Sequence, residues 1–112
     1  MSTTINQTNS QILKTLENQF KIKLTNKVKV NSKGDVTDLD LSCTNITTLE
    51  NLGKLTSLKT LLINEAYELK NLNGLDKIKS LEEVFAYNLD ISKEEVSNIM
   101  DSLPNLKFIV FE

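Results

Sequence analysis

One pattern governs what this chain can fold into: a triplet of apolar residues that recurs four times through its last two thirds. Val36, Leu39 and Leu41 open the series, followed by Leu58, Leu61 and Ile63, then Leu81, Val84 and Ala86, then Leu106, Ile109 and Phe111. Each triplet has offsets of 0, 3 and 5, and the starts are 22, 23 and 25 residues apart. Offsets 3 and 5 alternate along an extended segment and face one side, so each triplet reads as a short strand with one buried face. Between the first two triplets, Ile46, Leu49, Leu52 and Leu55 recur every third residue, the spacing of a tight 3₁₀-like return path. A single strand-and-return unit cannot bury its apolar face alone, whereas stacked units can cover one another.

The period falls inside the range of leucine-rich repeats. Residues 36 to 112, and VTDLDLSCTNITTLENLGKLTSLKTL most closely, resemble the short bacterial-type repeats of the leucine-rich-repeat proteins. That resemblance implies an α/β fold: a right-handed solenoid with a parallel concave sheet of about four strands. The family usually carries asparagine or cysteine at offset 8, where this chain has Thr44, Ala66 and Leu89. The polar ladder between coils is therefore expected to be missing or reduced, with Asn45 and Asn88 close enough for a local shift to recover part of it. One extra residue within NEAYELKNL predicts a loosened turn around Tyr67.

The third return path differs in kind. Ser92 with Glu95 three residues on forms a capping box, and Val96, Ile99, Met100 and Leu103 share a helical face before Pro104. This predicts a helix of about ten residues ahead of the last strand. At the other end, residues 1 to 35 are expected to form an N-terminal cap on the repeats at 36 to 112, the whole being one domain of 112 residues. Ile12, Leu13, Leu16 and Phe20 mark a helix after Ser10, and the alternation in KIKLTNKVKV marks extended chain. NSKGD supplies the turn that would pair Val28 to Val30 antiparallel with the strand starting near Val36.

Composition narrows function mainly by exclusion. The chain has no histidine and no arginine, which removes the usual general base, the commonest metal ligand and the bidentate phosphate clamp. Asp38, Asp40 and Ser42 align three oxygens on one face, but no carbonyl-rich loop accompanies them. GKLT at Gly53 lacks the first glycine and the strand context of a P-loop. The single cysteine, Cys43, has no neighbour that would activate its thiol and reads as a small residue at the sheet margin. No enzyme activity, cofactor or metal is expected. The start of the chain lacks the segments of a signal peptide and no apolar run is long enough to span a membrane, so a cytoplasmic protein is expected.

Charge is unevenly placed. Residues 1 to 34 hold six lysines against Glu17 alone, and the remainder seven lysines against fourteen carboxylates. Lysines without arginine or interleaved aromatics do not make a nucleic-acid surface.

With offsets 0, 3 and 5 in the core, offsets 2, 4 and 6 point to the opposite face. The offset-4 column reads Asp40, Leu62, Phe85 and Val110. With Tyr87 and Phe108 the last three make an apolar patch, rimmed by Asp38, Asp40, Glu65 and Glu83. Leucine-rich-repeat proteins generally recognise other proteins through this face. The resemblance thus implies a non-catalytic protein-binding module for which these nine residues are the partner-binding set. A sharper alternative is an inhibitor or immunity-type protein that neutralises a basic toxin or enzyme. A structural alternative is a homo-oligomer, because Lys107 to Glu112 ends the chain in an apolar strand that invites a second copy, a covering partner or further repeats.

Overall fold

The computed structural model describes residues 4 to 111, in the order α1 (Gln7–Phe20), β1 (Val28–Val30), β2 (Val36–Asp40), β3 (Thr60–Leu62), β4 (Glu83–Phe85), α2 (Lys93–Ser102) and β5 (Phe108–Val110). The five strands form one sheet in sequence order, β1-β2-β3-β4-β5. β1 runs antiparallel to β2, and the other pairs are parallel.

This corrects the expected right-handed leucine-rich-repeat solenoid with a parallel sheet of about four strands. The fold is a small α/β globule with a mixed five-stranded sheet and two helices. Its radius of gyration, 13.3 Å, is that of a compact chain of this length. Gly34, at φ +80, makes the turn that pairs β1 antiparallel with β2, as NSKGD leads one to expect, and this pairing adds the fifth strand that makes the sheet mixed. The molecule measures 41 × 30 × 20 Å.

Register ties the triplets together. Leu39, Leu61, Val84 and Ile109 lie side by side across the four parallel strands, on the face that carries the core. Beneath them the return paths follow the every-third-residue rule. Leu52 donates its N–H to the carbonyl of Leu49, Leu55 to Leu52 and Leu58 to Leu55, at 2.9 to 3.1 Å, and the next return repeats this from Leu72 through Leu75 and Ile78 to Leu81. Each leucine is thus both a rung of a 3₁₀-type path and a fully buried side chain.

α1 begins earlier than the serine signal suggests. Its cap is Asn6, whose side chain accepts from the Asn9 N–H at 2.9 Å, while Ser10 lies inside the helix. Asn9 is buried, and its Oδ1 accepts the Val36 N–H at 2.8 Å, fixing the helix to the start of β2.

Three residues after each of β2, β3 and β4 comes a left-handed residue, Cys43, Glu65 and Asn88, with φ of 60, 58 and 63. Only asparagine among these tolerates that conformation readily.

A polar ladder does form, though not at offset 8. Ser42 Oγ accepts the Asn64 N–H at 3.1 Å, and Asn64 Oδ1 accepts the Tyr87 N–H at 2.8 Å. The ladder therefore sits at offset 6, and neither Asn45 nor Asn88 belongs to it.

The capping box at α2 is half formed. Ser92 Oγ accepts the Glu95 N–H at 3.1 Å, but the Glu95 carboxylate leaves its own helix and accepts the Leu72 N–H at 2.6 Å. That bond joins α2 to the neighbouring return path. Glu95→Ala is expected to cost about 1–3 kcal/mol, because it strips the acceptor from a buried backbone donor. Urea denaturation monitored by far-UV circular dichroism would measure the loss. Glu95→Gln, which keeps an acceptor oxygen, should recover most of it.

Candidate functional site

The face of the sheet away from the core is open, and the strand alternation decides what it shows. Pairing places Asp40, Leu62, Phe85 and Val110 in one row across β2 to β5. The adjacent row runs Asp38, Thr60, Glu83 and Phe108. Strands in such rows are about 4.8 Å apart, so neighbouring side chains touch.

Leu62, Phe85, Phe108 and Val110 are each half-buried. Phe85 and Phe108 are diagonal neighbours on β4 and β5, and their rings meet edge to face with centroids 5.5 Å apart at 79°. Such a pair holds both rings in one arrangement, which lowers the entropy a partner must remove to use them.

Two residues of the expected set lie off this surface. Glu65 occupies the left-handed turn after β3, and Tyr87 follows β4 at the C-terminal end of the sheet, 43% exposed. Glu65 accepts a hydrogen bond at 2.8 Å from the hydroxyl of Tyr67, the most exposed aromatic described. This bond, more than the charge of Glu65 itself, raises the Tyr67 pKa above its ordinary value. Glu65 and Tyr87 thus belong to the margin of the sheet, while Asp38, Asp40, Leu62, Glu83, Phe85, Phe108 and Val110 share its open face.

Two lysines absent from the expected set complete the face. β1 pairs Lys29 with Asp38, and the Asp40 N–H donates to the Lys27 carbonyl at 2.8 Å, so the backbone sets both lysines beside the aspartate-bearing strand. Asn26, Lys27, Lys29, Asp38, Asp40 and Leu62 contribute to a shallow cleft of about 260 Å³ at this border. The aspartates are occupied locally: Asp38 accepts from Thr37 Oγ1 at 2.8 Å and Asp40 from the Ser42 N–H at 2.9 Å. The signal was present in the sequence, because alternation in KVKV puts the lysines opposite Val28 and Val30. It needed the β1–β2 pairing to place them. The open face therefore grades from a mixed-charge half on β1 and β2 to an aromatic and aliphatic half on β4 and β5.

No helix among the described residues is long and apolar enough to cross a membrane. No family model matches the chain, and neither the curated proteins nor the solved structures give a match.

Proposed function

We propose that this protein is a non-catalytic protein-binding module that engages its partner through the open face of the sheet. The observation that carries the reading is the row Leu62, Phe85 and Val110 with Phe108 seated against Phe85. These side chains contribute little to the main core, yet they are held together in one arrangement. An aromatic cluster of this kind is what protein interfaces use as an anchor. Glu83, beside Phe108 in the same row, offers a carboxylate to a basic group on the partner.

A bait comparison tests it. The protein and its Leu62→Asn/Phe85→Asn variant are immobilised and exposed to lysate of the source cells, with Lys23→Ala as a control far from the patch. A species captured by the parent and by the control, and reduced at least about tenfold on the double variant, is the expected result, since losing two interface anchors costs more than about 1.4 kcal/mol. Equal capture by all three would overturn the reading.

A further inference from the structure

The two edges of the sheet are built differently. β1 closes one side with exposed Lys29 between Val28 and Val30, and its register slips between Lys29 and Val30. A lysine and a bulge both discourage an edge strand from pairing with another chain. A twofold pairing of β1 with itself about Lys29 would also set like charges opposite each other.

β5, on the far side, has neither device. Phe108, Ile109 and Val110 follow β4 in unbroken register, and all three are apolar. The Val110 carbonyl accepts the Ala86 N–H, so Val110 turns its backbone groups toward β4. Alternation then turns the N–H and C=O of Ile109 outward, where no further strand lies among the described residues.

We propose that β5 pairs antiparallel with β5 of a second copy of this chain, about a twofold axis at Ile109, joining two five-stranded sheets into one of ten. In that register the two Ile109 residues exchange N–H···O=C bonds. Phe108 lies opposite Val110 of the second copy on the open face, an aromatic against a β-branched side chain. Lys107 lies opposite Phe111, and its ammonium is held by Glu82 of its own chain at 3.3 Å, so no like charges meet at the axis. The segment is thus its own complement, which favours a second copy over an unrelated strand. The pairing would also bring the Phe85, Phe108 and Val110 clusters of the two copies together into one surface. Glu112, at the end of the edge considered from the sequence, lies outside the described residues.

Sedimentation from about 1 µM to about 1 mM, the range in which small interfaces titrate, combined with hydrogen exchange at the Ile109 amide, tests the pairing. The mass should rise from one copy to two. Over the same range exchange at Ile109 should slow by about tenfold or more. Ile109→Pro deletes the outward N–H and should stay monomeric, while Leu62→Asn/Phe85→Asn should still dimerise. The last variant separates this proposal from the partner-binding reading, since either can fail alone. A mass of one copy at every concentration, or a dimer whose Ile109 amide exchanges at its dilute rate, would overturn the pairing. If Ile109→Pro does not fold, the measurements on the parent protein still decide.

Discussion

Leu61→Ala is expected to destabilise the protein by about 4 kcal/mol, enough to consume much of the 5–15 kcal/mol that holds a typical domain together. Leu61 is fully buried and sits mid-row between Leu39 and Val84, on the core face of the central strand. Strands flank it on both sides, and leucines of the return paths lie beneath it. The cavity left by the lost isobutyl group therefore has little freedom to collapse, which is the circumstance in which such substitutions cost most. Ile109→Ala should be milder, because Ile109 lies in the edge strand and is already 8% exposed. Urea unfolding of both variants would check the order as well as the size of the effects.

Gly74→Ala should cost about 3 kcal/mol, from two additive causes. Gly74 has φ +99, a conformation that L side chains rarely adopt. A Cβ there would also meet the N and Cα of Glu50 and the carbonyl carbon of Leu49 at 2.8 Å. Those are backbone atoms of the neighbouring return path, so no side-chain rotation relieves the contact. Gly74→Asn separates the causes: asparagine tolerates the left-handed conformation but still carries a Cβ, so it should remain strongly destabilising. Asn88→Ala, at φ 63 on an exposed turn, should lose only about 1 kcal/mol, the conformational part alone. Thermal denaturation of the three variants tests the comparison.

The core face of each strand was legible because burial repeats with the period of the fold. Val84 and Ala86 point inward and Phe85 outward for no reason beyond alternation, and the sequence shows that alternation directly. The overall architecture was less legible. The same apolar triplets are compatible with an extended stack and with a compact mixed sheet, and no local spacing decides between them. Long-range polar bonds were not legible at all. Asn9 to Val36 spans 27 residues and Glu95 to Leu72 spans 23, and no local spacing links such partners. The capping-box motif even pointed the Glu95 carboxylate to the wrong amide. At the candidate site, the row from Leu62 to Val110 followed from offsets alone. Lys27 and Lys29 did not, since their neighbours are set by an antiparallel pairing whose register includes a bulge.

One face of the sheet holds the core of the fold, and the proposed binding function uses the other. Paired urea denaturation of Leu62→Asn/Phe85→Asn and Leu61→Asn/Val84→Asn tests that division most directly. The open-face variant should remain folded with a loss of about 1–2 kcal/mol, the worth of its cross-strand and ring contacts. The core-face variant should fail to fold, because it buries two amides among apolar side chains. Comparable losses in the two variants would contradict this division, since the aromatic row would then be a structural clasp of the sheet.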